Sequence, residues 1–270
     1  MPKCPICSSE THASFSARLL KKYTVAYRHC PVCGLLRTET PFWLDEAYRS
    51  AIDISDTGIV LRNLALASRL AVLLALNFDP KGAYLDVAGG YGMLTRLMRD
   101  CGFDYYWDDR YCENLFARGF EASAKSAPFS ALSAFEVLEH LHDPLAFISE
   151  NFREHGCRTL VFTTELYRGE KPPSADWWYY AFDSGQHISF YKRETLEKLA
   201  ERLGLHFYSL RGLHVLSDRK PRFRRLSHCA MGCLAPAFLM LIRKKLGSLT
   251  QADRLKVIGR AESEGAPTSP

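Results

Sequence analysis

The sequence lacks several features that would place a protein in a class at once. No apolar run reaches the roughly 18 residues needed to span a bilayer, and no internal repeat is visible, so a membrane-spanning or solenoid architecture is not expected. The opening residues lead directly into polar sequence, so we expect no secretory signal there. The nine cysteines are an odd number, which favours a reducing cytoplasm over a disulfide framework.

Net charge is nearly absent from most of the chain. Residues 1–217 contain 24 Lys and Arg against 26 Asp and Glu, whereas residues 218–270 contain 11 against 4. An enzyme that acts on nucleic acid more often carries its positive charge around the active site. Nucleic acid is therefore an unlikely partner, and a small molecule or glycan is the expected acceptor class.

Four of the cysteines form two CxxC knuckles near the N-terminus. Each knuckle places two thiolates on one turn, and two knuckles supply four sulfur ligands for a tetrahedral Zn²⁺: Cys4, Cys7, Cys30 and Cys33. The spacing predicts a small zinc ribbon over residues 1–40 with a structural Zn²⁺. His12 and His29 could substitute as ligands, and a ribbon that no longer binds metal is the alternative.

The stretch Leu85–Gly92 reads as a buried strand followed by a glycine-rich turn. A helical pattern and a second strand follow, and that strand ends in the acidic pair Asp108-Asp109. Glycines let the backbone approach a ligand closely, and an acid at the end of the second strand can accept hydrogen bonds from a ribose diol. The residues therefore predict the first half of a nucleotide-binding α/β unit.

The remaining pattern divides the chain into segments. Residues 41–82 form a helical connector that packs on the coming sheet, and residues 83–262 form the main α/β domain. Strands are expected near 83–87, 103–107, 119–123, 128–137, 158–164, 205–216 and 254–261. Residues 263–270 look like a disordered tail.

Several ordered motifs over residues 45–262 resemble class I S-adenosylmethionine-dependent methyltransferases with an N-terminal zinc-binding module. The family's first motif is an acid, one residue, then Gly-x-Gly-x-Gly, and the chain has Asp86, then Ala88 in place of the first glycine. The second-motif acid falls at Asp109, and the fourth-motif segment matches Phe135–His140. His187-x-x-Phe190-Tyr191, before a Thr-Leu-rich helix, also fits.

The resemblance implies a Rossmann-like, seven-stranded sheet whose last strand is antiparallel. It also implies an S-adenosyl-L-methionine site, with Asp109 on the ribose hydroxyls and Asp86 orienting the loop or meeting the donor's amino group through water. Asp108 is the alternative ribose acceptor, in which case Asp109 caps the next helix. The expected donor-binding residues are Asp86, Ala88, Gly89, Gly90, Gly92, Asp109 and Glu136.

The acceptor side is less distinct in the sequence. His187 is the best candidate general base, since a neutral imidazole can take a proton from a hydroxyl; a structural role in positioning the following strand is the alternative. Glu136 is a candidate contact to donor or substrate, and His140 a weaker candidate. An aromatic segment could stack on the substrate or pack the loop against the body: Trp177, Trp178, Tyr179 and Tyr180.

The basic-apolar-basic segment 219–245, within an insertion at 219–250, allows two interpretations. It could lie on an anionic membrane at the cytoplasmic face, or pack on protein. The leading functional hypothesis is O-methylation of a sugar or another small acceptor in a glycan or secondary-metabolite pathway. The alternatives are an RNA or protein methyltransferase that uses the ribbon for recognition, and a non-catalytic zinc-ribbon binding protein.

Overall fold

The structure, a computed structural model, describes residues 2–49, 56–125, 128–232 and 234–263. All but the first residue of the predicted tail at 263–270 therefore lies outside the described residues. The strands, in chain order, are β1 (His12–Leu19), β2 (Tyr23–His29), β3 (Leu36–Thr38), β4 (Ala83–Val87), β5 (Asp104–Asp108), β6 (Ala131–Phe135), β7 (Thr159–Thr163), β8 (Ser189–Phe190), β9 (His206–Leu210) and β10 (Leu213–Ser217).

The helices show clear local signals at several of their ends. Helix α4 (Pro144–His155) is capped by Asp143, whose side chain accepts a hydrogen bond from the backbone N–H of Ala146. Helix α4 and helix α5 (Arg193–Leu203) each end at a left-handed glycine, Gly156 and Gly204. The full set is α1 (Leu44–Ala47), α2 (Ile59–Asn77), α3 (Met93–Asp100), α4 (Pro144–His155), α5 (Arg193–Leu203), α6 (Arg224–Ala230), α7 (Ala235–Leu246) and α8 (Thr250–Ser263).

The main sheet confirms the predicted α/β class, with six strands where seven were expected. Its order is β5-β4-β6-β7-β10-β9, and β10 runs antiparallel to both of its neighbours. The predicted strand at 119–123 is reduced to one bridge, between Trp107 and Glu121. The predicted strand at 205–216 is a hairpin, β9 and β10, that turns at a positive-φ pair, Arg211-Gly212.

The predicted last strand at 254–261 is wrong, because this segment lies within helix α8. The antiparallel strand of the sheet is instead β10. Alternating charged and apolar residues over eight positions do not by themselves separate an edge strand from an exposed helix. A tertiary contact of Asp253, described below, holds this segment as a helix.

The chain forms two compact units, and their boundaries cut across the predicted segments 1–40, 41–82 and 83–262. The first unit comprises residues 1–56 and 134–220. The second comprises residues 57–133 and 221–270.

In the first unit, a four-stranded sheet has the order β1-β2-β3-β8. Its core is aromatic: Tyr27 and Phe190 pack with Tyr179, Tyr180 and Trp43, all of them buried. Two hydrogen bonds tie the N-terminal strands to later segments, from Trp43 Nε1 to the Gly185 carbonyl at 2.8 Å and from Thr195 Oγ1 to the Cys33 carbonyl at 2.7 Å. The cysteine-bearing segment therefore shares a core with residues 177–190.

In the second unit, helix α2 packs against α3, α6 and α7. Helix α2 is long and apolar enough, by length and composition, to cross a membrane, although a buried core helix passes the same test. The packing of α6 and α7 on α2 agrees with the protein-packing interpretation of segment 219–245. Leu234, Met240 and Leu241 remain exposed beside Arg243, so membrane contact stays a prediction.

Helix α8 is fastened by a buried ion pair within the second unit. Arg99 Nε and Nη2 donate to the Asp253 carboxylate at 2.7 and 2.8 Å, with the two side chains 5% and 6% exposed. The guanidinium also lies 3.8 Å from the centroid of the Phe120 ring. Burial alone would raise the pKa of Asp253, but hydrogen bonds from Arg99 and Arg96 outweigh it and lower the pKa.

Asp253→Ala should lower the free energy of unfolding by about 3 kcal/mol, because it leaves the buried Arg99 guanidinium with only the partly exposed Asp104 as carboxylate partner among the described residues. Chemical unfolding followed by circular dichroism measures this loss. Asp218→Ala, at a solvent-exposed pair with Arg219, is the matched control and should change stability by less than about 1 kcal/mol. Equal losses in the two variants would contradict this account of α8.

Candidate functional site

The turn after β4 has a backbone that few residues adopt without strain. Ala88, Gly90 and Gly92 have φ values of 59°, 55° and 84°. Ala88, at the position where the resemblance has a glycine, therefore occupies the left-handed region at a cost of about 1–2 kcal/mol. The turn is held in part by a hydrogen bond from the Gly89 N–H to the Asp108 carbonyl at 3.1 Å.

Space around the glycines differs from one to the next. A Cβ on Gly89 would lie 2.9 Å from the Trp107 ring, and one on Gly92 would lie 2.7 Å from Asn114 Oδ1. A Cβ on Gly90 would meet no described atom within 4 Å. The turn is therefore closely packed at Gly89 and Gly92 and open at Gly90, as a close backbone approach to a ligand requires.

Asp109 supports this turn directly. Its Oδ2 accepts the Gly90 N–H at 2.8 Å, and its Oδ1 accepts the N–H groups of Tyr111 and Cys112 at 2.7 and 2.8 Å. The carboxylate thus binds three backbone amides, and no helix follows it directly among the described residues, so it does not cap one. A carboxylate has about four lone-pair directions, so three amides still leave room for one further donor.

Asp86 is the buried acid at the end of β4. Ser133 Oγ donates to its Oδ1 at 2.5 Å and itself accepts from the Tyr105 hydroxyl at 2.8 Å. Burial raises the pKa of Asp86 to about 7, the Asp109 charge adds to the rise, and the Ser133 hydrogen bond opposes it. This carboxyl can therefore change its protonation near neutral pH.

In the first unit, Glu136 follows β6 directly and also has a positive φ, 55°. Thr163 Oγ1 donates to Glu136 Oε1 at 2.5 Å and accepts the Glu136 N–H at 3.0 Å. The side chain is half-buried. Strained, hydrogen-bonded positions of this kind are common at functional sites.

Glu139 is a site residue that the sequence analysis did not single out. It lies in a short 3-10 helix, is 0% exposed, and has no hydrogen-bond partner for either carboxylate oxygen among the described residues. Burial and, to a smaller extent, the Glu136 charge raise its pKa to about 8, and the nearby Tyr179 and Thr164 hydroxyls oppose the rise without reaching hydrogen-bond geometry. The Glu-x-x-Glu-His spacing at 136–140 is the sequence feature that could have identified Glu139 as a site residue.

His140 and His187 lie together beside Glu139. Their ring centroids are 4.8 Å apart, and one ligand atom from each of the three side chains lies within 4.8 Å of the others. Burial lowers the pKa of both histidines, so both rings are neutral at neutral pH. His187 Nδ1 forms a hydrogen bond with the Tyr179 carbonyl at 2.7 Å. A backbone hydrogen bond of this kind is what the structural role of His187, the alternative to a general base, would require.

The four aromatics of the loop do not form one surface. Tyr179 and Tyr180 are fully buried in the aromatic core, Trp177 is half-buried, and Trp178 is 74% exposed. The Tyr179 hydroxyl also accepts a hydrogen bond from the Glu165 backbone N–H at 3.1 Å. The packing role is therefore the one the structure shows for Tyr179 and Tyr180, and Trp178 has the exposure that substrate contact requires.

The four thiols of the predicted ribbon converge in the first unit. The Sγ atoms of Cys4 and Cys33 lie 3.6 Å apart, those of Cys7 and Cys30 lie 3.4 Å apart, and all four lie within 4.8 Å of one another. Tetrahedral zinc with Zn–S bonds near 2.3 Å separates its sulfurs by about 3.8 Å. A hydrogen bond from Cys33, with smaller effects from backbone amides, lowers the pKa of Cys4 to about 5.

A family model described as a methyltransferase domain matches residues 61–210, which is more than half of the chain. This span contains the turn after β4 and the Glu136–His187 side chains. No curated protein matches the chain significantly.

Among solved structures, the chain is similar to TnmH, with 20% identity over 66% of this chain and 62% of that one, at a TM-score of 0.48. An O-methyltransferase family 2 protein from Planctomyces limnophilus, solved with apigenin, is 16% identical over 62% of each chain, at 0.44. Human N-acetylserotonin methyltransferase, solved with SAM, is 12% identical over 66% of each chain, at 0.43. The chain thus covers less than two thirds of the length of each of these proteins.

The raised pKa of Asp86 predicts a pH-dependent stability in the absence of ligand. An aspartate titrates near 3.9 in an unfolded chain and near 7 here, so the folded protein holds the proton to higher pH. The free energy of unfolding should therefore fall as pH rises from about 4 to about 7. Asp86→Asn cannot ionise and should gain stability relative to wild type across that window.

Urea unfolding at several pH values measures this difference. Asp45→Asn, on the exposed surface of α1, is the matched control and should follow wild type at each pH. A difference between Asp86→Asn and wild type that does not vary with pH would show that Asp86 does not titrate in this window.

Proposed function

The chain belongs to the methyltransferase-domain family whose model matches residues 61–210, and we propose that it methylates a hydroxyl of a small acceptor with S-adenosyl-L-methionine as donor. The family match is the observation that carries methyl transfer. The acceptor class follows from the charge distribution and from the side chains on the acceptor side. A sugar or another small molecule of a glycan or secondary-metabolite pathway fits both.

The donor belongs at the turn after β4. Gly90 leaves open space where the methionine portion would lie over the backbone, and the remaining lone pair of Asp109 would accept a ribose hydroxyl. Asp86 lies beneath the turn with Ser133, where it orients the loop. A sulfonium donor carries no phosphate, so here the turn works by close approach of its backbone.

The acceptor chemistry needs a hydroxyl to lose its proton as the methyl group arrives. The oxygen–methyl bond forms while the sulfur–methyl bond breaks, S-adenosylhomocysteine leaves, and the hydroxyl proton passes to a base or to solvent. Glu136, His140 and His187 are the polar groups of the first unit that could receive or direct that proton. Both imidazoles are neutral at neutral pH, as a proton acceptor must be.

The cysteine cluster would hold a structural Zn²⁺. Four thiolates leave no open coordination position, so this metal would stabilise the fold and take no part in the chemistry. The strands around it share the aromatic core of the first unit, and Thr195 binds the Cys33 carbonyl. The ion would therefore stabilise the same core that contains Tyr179 and Phe190.

Two further expectations remain proposals. Peripheral membrane contact through 219–245 is supported by the exposed Leu234, Met240 and Leu241. The proposal of a cytoplasmic location rests on the cysteine content. Recognition of RNA or protein by the ribbon has no specific contact in its favour. If the protein has no affinity for the donor, the remaining interpretation is a non-catalytic zinc-ribbon binding protein.

Calorimetry with S-adenosylhomocysteine tests the donor site. The wild type should bind one equivalent, and Asp109→Asn should weaken binding by about ten- to a hundredfold, since it loses a charged hydrogen-bond acceptor. Glu113→Gln, an exposed ion-pair residue nearby, is the control and should bind as wild type.

A 2′-deoxy analogue separates a ribose contact from mere support of the turn. The wild type should discriminate against the analogue, whereas Asp109→Asn should bind both compounds alike. If Asp108→Asn abolishes the discrimination and Asp109→Asn retains it, Asp108 is the ribose acceptor. No affinity for donor or product in any form of the protein would refute the enzyme proposal.

Elemental analysis tests the structural metal. The purified protein should contain one zinc per chain, and Cys30→Ser should lose the ion and unfold at lower temperature, because the ion's binding energy contributes to folding. Cys229→Ser changes an exposed cysteine and should retain both properties. A full zinc content in Cys30→Ser would show that the metal binds elsewhere.

A further inference from the structure

Three ionisable side chains of the first unit form a compact group that neither the donor site nor the cysteine cluster includes. We name Glu139, His140 and His187 the acid–histidine cluster. The 3-10 helix Leu138–His140 supplies the first two, and the segment before β8 supplies the third. The backbone N–H of Ile188 bonds the Glu139 carbonyl at 2.8 Å, which holds the two segments together.

Glu139 is a fully buried carboxylate whose burial requires a compensating group. A carboxylate removed from water is costly unless a proton, a cation or hydrogen bonds compensate it. Both of its oxygens lack a hydrogen-bond partner among the described residues. The nearby hydroxyls of Thr164 and Tyr179 lie 3.2 Å from each other, so one of them donates to the other, and Tyr179 also accepts the Glu165 N–H.

The two histidines are oriented as metal ligands are. His187 Nδ1 lies 2.7 Å from the Tyr179 carbonyl, and His140 Nδ1 lies 3.1 Å from the Gln186 carbonyl and 2.8 Å from the Tyr48 hydroxyl. A carbonyl accepts only from a protonated nitrogen, so the His187 ring carries its proton on Nδ1. His140 has the same tautomer when its Nδ1–H is shared between the Gln186 carbonyl and the Tyr48 hydroxyl. Metal-ligating histidines commonly donate one N–H to a backbone carbonyl, which leaves Nε2 for the metal.

The spacing suits a single ion. One ligand atom from each side chain lies within 4.8 Å of the other two. Ligands bonded to one ion at 2.0–2.2 Å in a tetrahedral site are separated by about 3.3–3.6 Å. Side-chain shifts of about 1 Å would therefore bring the three atoms to bonding distance.

We propose that Glu139, His140 and His187 bind one divalent transition-metal ion through a carboxylate oxygen and two imidazole nitrogens. Two imidazoles disfavour Mg²⁺ and Ca²⁺, which prefer oxygen ligands, and suit first-row ions such as Mn²⁺, Fe²⁺ or Zn²⁺. Three protein ligands leave coordination positions open. The site differs in this respect from the four-thiolate cluster.

The open positions indicate an acceptor with oxygen atoms that can bind the ion, and this role rests on the proposed function. A hydroxyl bound to a divalent ion loses its proton more readily, so the ion would activate the acceptor as a Lewis acid. Two open positions would favour an acceptor with adjacent oxygens, such as a sugar diol. His187 would then be a metal ligand instead of a general base.

Titration of the zinc-loaded, full-length protein with Mn²⁺ tests the site, with free Mn²⁺ followed by electron paramagnetic resonance. Thiolate clusters favour zinc over Mn²⁺, so the signal reports on the acid–histidine cluster. The wild type should bind one Mn²⁺, and Glu139→Gln, His140→Gln and His187→Gln should each weaken binding about tenfold or more. His142→Gln, next to the cluster but bonded to Arg37, should bind as wild type.

Two results would overturn the proposal: no saturable binding by the wild type, or equal affinity in wild type and His187→Gln. Thermal unfolding of each variant shows whether it is folded, and His187→Gln, whose ring is only partly buried, serves if Glu139→Gln does not fold. S-adenosylhomocysteine affinity, measured without Mn²⁺ in the same preparation, reports on the donor site alone. A protein that binds S-adenosylhomocysteine but not Mn²⁺ would refute the metal site alone. A protein that binds no S-adenosylhomocysteine would refute the proposed function.

Discussion

Each unit contains one sharp backbone turn on which its candidate functional residues depend, and each turn follows directly after a buried strand. Ala88 follows β4 and Glu136 follows β6, and both are non-glycine residues with φ near +55° to +60°. Such positions cost about 1–2 kcal/mol each and persist only where the surrounding contacts determine them. Asp109 holds the first turn through the Gly90 amide, and Thr163 holds the second through the Glu136 amide and carboxylate. The first turn leaves open space at Gly90, where we propose that the donor binds, and the second leads into the helix of the acid–histidine cluster.

The buried carboxylates differ in how fully hydrogen bonds compensate them, and this difference distinguishes a structural residue from candidate functional ones. Asp253 is fully compensated by Arg99 and Arg96, and it fixes helix α8. Among the described residues, the Asp86 carboxylate has one hydrogen-bond donor, the Ser133 hydroxyl, and the Glu139 carboxylate has none. Burial raises the pKa of both, to about 7 and about 8. Strong perturbation by burial in a group without a full set of partners is typical of functional sites.

Local signals in the sequence were sufficient for much of the fold. The helix predicted after Phe190-Tyr191 is α5, which ends at the left-handed Gly204, and the cysteine spacing predicted four neighbouring thiols, which the structure places within 4.8 Å of one another. The strand predicted at 254–261 failed because the deciding contact joins Asp253 to Arg99, 154 residues away in sequence. Glu139 was not singled out from the sequence, because its surroundings are made by Tyr179, Thr164 and Ile188, which are distant from it along the chain. Contacts between distant segments, which carry no local pattern, account for both errors.

The central claim is that the turn after β4 binds an adenosyl donor. Hydrogen–deuterium exchange of the backbone amides, with and without S-adenosylhomocysteine, locates that binding directly. The account predicts slower exchange in the peptides that contain residues 88–92 and 108–112, and unchanged exchange over the cysteine knuckles. Unchanged exchange at 88–92 under saturating ligand, or protection confined to other segments, would contradict it.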